Sequence, residues 1–317
     1  MKSLAFVKHH LTRRRLHPPL GFVHIPKAGG TGMVGQIDSL LRPRRLVYGL
    51  DRSQFGGFTD FAGMPPAMRS GIILDRADLP PEIDCLVGHV APSTILNYAP
   101  DCRMMTCLRI PQTRLLSHYT YWRSYDDAQL ATFGGWGKMI ATSQRDLASF
   151  LSEPAIACQT DNLITRMLLW PRADIPADNF IDPSDDEIIL GAAHAMIDRF
   201  AHIDVMENAG FDSNLKAWLN ATYGLSIWER LRRTTSRPRP ARTNQARKPF
   251  VRPDTPLATQ LEGPAGSLLA TRSRLDVILW SRIAQTVMMQ MDHDGLIAAE
   301  LGRAIARYDC LSGFKQV

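Results

Sequence analysis

Along most of this chain, short unbroken apolar runs alternate with stretches of helical spacing. Residues 21–25, Gly21-Phe22-Val23-His24-Ile25, read as a buried strand. Met33, Val34, Ile37, Leu40 and Leu41 then recur at helical spacing until Pro43 ends the pattern. Further strands are expected over 46–50, 71–74, 85–90 and 103–109, and Pro111 starts a helix running to about 124. Helical patterns follow over 145–152, 160–170, 184–199 and 212–223, with a late strand over 201–206 and a closing amphipathic helix over 275–291. The stretch 51–70 contains Gly56-Gly57 and Pro65-Pro66 and reads as loop. So does 124–143, where Gly134-Gly135-Trp136-Gly137 suits a mobile loop on the substrate side. Strands alternating with helices predict an α/β fold with a central parallel β-sheet flanked by helices.

Composition changes this picture only modestly. The 317 residues are read as a basic, loosely ordered arm over 1–19 and one domain over 20–317. A hydrophobic content of 45% is enough to bury a sizeable core, and a net charge of +6 suits a polyanionic ligand but is too diffuse to argue nucleic-acid binding. Five cysteines without C-x-x-C spacing read as reduced structural thiols, and no metal site is expected. Neither a signal-peptide core nor an 18-residue apolar run is present, so no membrane span is expected.

The chemistry concentrates in Pro26-Lys27-Ala28-Gly29-Gly30-Thr31-Gly32, a glycine-rich turn between the first strand and first helix. That order aims backbone N–H groups and a helix N-terminus at an anion, with Lys27 adding charge and Thr31 a hydroxyl. Lys27 precedes the glycines, so the loop is not of the Walker A type, and no G-x-G-x-x-G fingerprint is present. Residues 22–32 resemble instead the phosphosulfate loop of sulfotransferases that use 3′-phosphoadenosine 5′-phosphosulfate (PAPS). That family's form is close to F-V-H-I-P-K-T-G-G-T-S, from which only Ala28 and Gly32 depart.

A second motif, Arg109-Ile110-Pro111-Gln112-Thr113-Arg114-Leu115-Leu116-Ser117-His118-Tyr119, has an arginine at a strand's carboxyl end and a hydroxyl on the next helix. It resembles the same family's 3′-phosphate motif, R-D-P-x-x-R-L-x-S-H-Y, with Ile110 in place of a helix-capping Asp. Gly88-His89 ends a strand between the two motifs. It resembles the Gly-His of the glycosaminoglycan 2-O-sulfotransferases, whose His is the catalytic base; their second His, two residues earlier, is Val87 here. The run from Arg230 to Lys248 carries eight basic residues and no acid. Leu231-Arg232-Arg233-Thr234-Thr235 within it resembles the loop that folds over the nucleotide in those enzymes, although a solvated charge run accounts for it equally. Asn162-x-x-Thr165-Arg166 resembles a helix near the acceptor in the same family.

The resemblance implies a P-loop-like sulfotransferase fold that moves a sulfuryl group from PAPS to an acceptor hydroxyl, a saccharide's first among the candidates, leaving adenosine 3′,5′-bisphosphate. His89 would be the base and Lys27 the leaving-group stabiliser, with His118 and His24 next in line as base. The nucleotide would be held by Lys27, Ala28, Gly29, Gly30, Thr31, Gly32, Arg109 and Ser117, and covered by Leu231, Arg233, Thr234 and Thr235. Animal members of the family are Golgi proteins with an N-terminal span, so without one a cytoplasmic enzyme is expected. Two rivals stand: a P-loop kinase, which needs a metal-binding acid that no expected strand end supplies, and a polyanion-binding protein working through 230–248.

Overall fold

A computed structural model of the chain describes residues 6–9, 14–224, 248–288 and 292–314. Its centre is a sheet of seven strands: β1 (Phe6–His9), β2 (Leu20–Val23), β3 (Arg45–Asp51), β4 (Ile72–Ile73), β5 (Cys85–His89), β6 (Arg103–Leu108) and β7 (His202–Val205). The order is β1-β3-β5-β2-β6-β7, with β4 also beside β3; six strands run parallel and β1 alone is antiparallel. Part of the expected loose arm is therefore a sheet edge, with Phe6 opposite Tyr48 and His9 opposite Arg45.

Alternation along each strand sorts the core into two layers. Phe22, Leu46, Val87 and Met105 face α1 (Gly30–Leu41), which contributes Met33, Ile37 and Leu41. Val23, Val47, Leu86 and Met104 face the other way, onto Ile95 of α2 (Pro92–Tyr98). α1 carries the chain from β2 to β3, and α2 carries it from β5 to β6, on the opposite face. Connections thus leave the middle of the sheet in opposite directions, and β2 marks the switch point. Ligands of open α/β sheets bind beyond the carboxyl ends of the strands at such a point.

Further helices complete the layers: α3 (Pro111–Trp122), α4 (Leu163–Leu169), α5 (Asp186–Ile197), α6 (Phe211–Tyr223), α7 (Pro264–Val287) and α8 (His293–Leu311). α4, α5 and α7 build on the α2 side, and α6 joins α1. The closing helix expected over 275–291 begins 11 residues earlier, at Pro264, and is followed by α8.

The stretch 124–143 is not the mobile loop its glycines suggest. It forms two short helices, Asp127–Ala131 and Trp136–Ala141, and Trp136 is 4% exposed in a third, aromatic cluster with Phe55, Phe61, Trp122 and Phe150. Here packing overrides glycine content: the buried Trp136 ring stands edge-on to Phe55 and Phe58, with centroids 5.2 and 5.5 Å away. None of the five cysteines is in a disulfide. Among the described residues, no helix is long and apolar enough to cross a membrane.

Candidate functional site

A cleft of about 1750 Å³ opens at the carboxyl end of β2. Single-ligand pockets usually measure about 300–1,000 Å³, so there is room here for two small molecules. His24, Lys27, Gly29, Gly30, Thr31 and Gly32 form its floor, and His89, Arg109, Ser117 and His118 join them on the walls.

The floor is held from both sides. Thr106 Oγ1 donates to Val23 O (2.7 Å), and His24 N donates to Gly88 O (2.8 Å). The chain then turns sharply: Lys27 takes a left-handed φ of 67° and Gly29 one of 73°. A non-glycine residue in that region is a strained position of the kind that clusters at ligand sites. α1 starts at Gly30 with no side-chain cap and no acid in its first turn, so its N-terminal N–H groups and dipole are offered to the cleft. A Cβ on Gly30 would stand 1.9 Å from the His24 ring, which packs beneath the loop. Ala28 is part of the core (1% exposed) and does not line the cleft; only its backbone can serve there. The Lys27 ammonium lies 4.0 Å from the Tyr121 ring centre.

β5 brings His89 to the same edge. Gly88 has a φ of 140°, and a Cβ there would lie 2.0 Å from Gly49 O on β3, so the glycine permits the close strand contact that presents His89. His89 Nδ1 lies 2.6 Å from His24 O. A carbonyl can only accept, so Nδ1 carries the proton and Nε2 keeps its lone pair. Burial, with a smaller contribution from the Lys27 charge, pushes the His89 pKa down to about 4, against the upward pull of that hydrogen bond. The ring is therefore a neutral acceptor at ordinary pH. His24 lies 4.2 Å away between centroids and is held well below its usual range by burial, His89 and Lys27. His118 is 4% exposed, lines the cleft, and has neither ring nitrogen hydrogen-bonded.

Arg109 follows β6, where its guanidinium donates to Lys27 O (3.3 Å) and faces the carboxylate of Glu207. Ile110 is completely buried, and its N–H donates to Glu207 Oε1 (3.0 Å). Glu207, in the segment after β7, thus holds the residue at the helix start by its own N–H, while the first turn of α3 has no side-chain cap. Ser117 shares the cleft face of α3 with Thr113, Thr120 and Tyr121, at helical spacing.

Sequence reasoning missed the wall opposite. Glu300, Arg303, Ala304, Arg307 and Leu311 of α8 all line the cleft, and Glu300 and Arg307 lie near enough to Arg109 to act on its charge. The signal was present as a stripe at i, i+3, i+4, i+7 and i+11, which reads equally as one face of a solvated helix. The aromatic wall of Tyr125, Phe133 and Trp136 was likewise hidden in the stretch read as loop.

Other expected residues stand elsewhere. Thr165 and Arg166 are buried and structural: Asp276 accepts from Ile164 N, Thr165 N and Thr165 Oγ1, while Arg166 pairs with Asp161 at 2.7 Å. Neither lines the cleft, whereas nearby Gln159 does. Leu231, Arg233, Thr234 and Thr235 lie outside the described residues, as does all of 225–247. The expectation that no core strand ends in an acid is wrong for β3, which ends at Asp51. That carboxylate is already engaged by Ser53 N and Oγ, Ala91 N and Thr94 Oγ1, and it holds the start of α2. Among the described residues, no three His, Cys, Asp or Glu side chains gather as metal ligands would.

The fold and site define an α/β protein with an anion-ready glycine loop at the switch point of its sheet. Beyond that class, the chain matches no family model, no curated protein and no solved structure.

Proposed function

We propose that the protein is a PAPS-dependent sulfotransferase of P-loop-like fold, transferring a sulfuryl group to an acceptor hydroxyl. One observation carries the reading: an uncapped glycine loop with Lys27, an Arg109–Ser117 pair and a neutral His89 with a free Nε2 converge on one cleft. The residues fit the nucleotide. The 5′-phosphosulfate would take the N–H groups of Gly29 to Thr31 and the Lys27 ammonium, on a loop whose Gly29 and Gly30 leave room for the Met206 and His24 side chains packed against it. The 3′-phosphate would take Arg109 and Ser117, with Arg307 nearby.

PAPS supplies a sulfuryl group already activated by its bond to phosphate. The acceptor oxygen bonds to sulfur as the bridging sulfur–oxygen bond breaks, and the acceptor proton passes to His89 Nε2. Lys27 and the loop amides stabilise negative charge growing on the bridging oxygen, which leaves as adenosine 3′,5′-bisphosphate. Such transfers are loose and in line, so positioning and charge supply most of the catalysis.

Calorimetry with adenosine 3′,5′-bisphosphate and with adenosine 5′-monophosphate tests the nucleotide assignment. A charge-assisted hydrogen bond contributes about 1.5–3 kcal/mol, so Arg109→Ala should weaken bisphosphate binding by roughly tenfold or more and leave the monophosphate nearly unaffected. Equal affinity of the wild-type protein for the two nucleotides would sink the reading.

A further inference from the structure

The cleft is lined by both charged side chains and aromatic rings. Its charged lining residues are Lys27 on the glycine loop, Arg109 after β6, and Glu300, Arg303 and Arg307 on α8. The rings of Phe55, Tyr121, Trp122, Tyr125, Phe133 and Trp136 line the same cleft. These rings form a continuous array. His118 stands 4.4 Å from Trp122, and Trp122 stands 6.3 Å from Trp136, which lies 5.2 Å from Phe55. On the other side the array runs from Lys27 through Tyr121 to Tyr125 (5.2 Å) and on to Phe133 (5.3 Å). Leu50, Met68 and Ile140 fill the gaps between rings. The side-chain amides here, Gln54 and Gln159, already donate to Ser53 Oγ and to Gln54 O.

We propose that this aromatic chamber is the acceptor subsite, and that the acceptor is an uncharged phenol or fused-ring alcohol rather than an anionic glycan. The inference rests on the sulfotransferase reading and replaces the saccharide expected from the sequence. A glycan bearing carboxylates or sulfates needs cations along its path, and among the described residues only one of the six rings, Tyr121, has a cation of the cleft against it, Lys27 of the glycine loop. A flat ring laid against this aromatic lining would bury apolar surface and could pack in the offset and edge-on arrangements that rings prefer. The chemistry of the base agrees. An imidazole with its pKa near 4 is a weak base. A phenolic hydroxyl, with a pKa of about 10, gives up its proton to it far more readily than a sugar hydroxyl does.

The test uses 2-naphthol, with methyl glucoside and a uronate-containing disaccharide for comparison. Each is titrated by calorimetry into the full-length protein saturated with adenosine 3′,5′-bisphosphate, and each is offered with PAPS as acceptor. 2-Naphthol should bind and be sulfated, and the two sugars should not. Phe133, half-buried in the cleft lining and not among the residues assigned to the nucleotide, is the residue to vary. Phe133→Ala should raise the KM and Kd for 2-naphthol about tenfold with bisphosphate affinity unchanged, and Phe133→Leu should recover part of the loss. Sulfation of the disaccharide without that of naphthol would overturn the proposal, as would a Phe133→Ala variant with unaltered naphthol affinity. Naphthol binding to a protein that binds no bisphosphate would uphold the ligand class of the chamber while overturning the transfer reading beneath it.

Discussion

Lys27 and His89 face the same cleft but are engaged differently, and the difference predicts how each fails. Lys27 adjoins the loop amides, and its backbone carbonyl accepts from Arg109, so it belongs to the anion site before any reaction begins. His89 is anchored through Nδ1 to His24 O, and its charge is held off by burial, so it contributes nothing to binding an anion. Lys27→Ala should therefore lower both bisphosphate affinity and turnover. His89→Ala should leave affinity near wild type and slow transfer by about 10²–10⁴, the usual contribution of a positioned base. Single-turnover sulfation alongside calorimetry separates the two. A His89→Ala variant that transfers at the wild-type rate would return the role of base to His118 or His24.

Among the elements, α7 ties the sheet's second face together through one carboxylate. Asp276 is completely buried, accepts the N–H groups of Ile164 and Thr165 at the start of α4, and offsets the charge of Arg114. Arg114 is 1% exposed on α3, its Nε and Nη1 have no hydrogen-bond partner, and its pKa is lowered to about 10, chiefly by burial. Removing the carboxylate strands a buried guanidinium on α3, the helix that carries Ser117. Asp276→Ala is expected to cost about 3–5 kcal/mol in urea unfolding; a loss below 1 kcal/mol would mean that Arg114 is solvated by another route. None of this pairing could be read from Asn162-x-x-Thr165-Arg166, which carries the helix pattern but not the partner on α7, 111 residues beyond Thr165. The loop, the strand-end histidine and the arginine–serine pair were legible because their chemistry lies within contiguous sequence and apolar runs mark the strand ends. The aromatic chamber and the α8 wall were not. Each is assembled from segments far apart in the chain, and locally their residues look like a glycine-rich loop and a solvated helix.

For the molecule as a whole, three histidines share one cleft and all are held neutral. His24 and His118 lie well below the usual imidazole range and His89 lies at about 4, with burial the largest cause for each. Arg114, Lys27 and His89 add to the effect at His118. An unfolded chain takes up protons on these rings near pH 6.5, while the folded chain refuses them until far lower pH. The unfolded state therefore binds more protons between those limits, and stability falls as pH drops from about 6.5 toward 4, by up to about 1.4 kcal/mol per pH unit for each histidine. Three buried carboxyls, Asp51, Glu207 and Asp276, act with the opposite sign. Their raised pKa values let the folded state take protons first, so their contribution grows as pH falls through the carboxylate range. The histidine effect starts at higher pH and should dominate the first stretch of the descent. Urea unfolding at pH 7.5, 6.5 and 5.5 should show little change across the first step and a marked loss across the second. His118→Phe replaces a buried ring that has no hydrogen bonds to lose, and it should remove a share of that loss, to which His194 and His202, also lowered by burial, add with the same sign. A variant whose stability falls as steeply as wild type between pH 6.5 and 5.5 would show that His118 takes up its proton in the folded protein, and that the cleft is wetter than its packing implies.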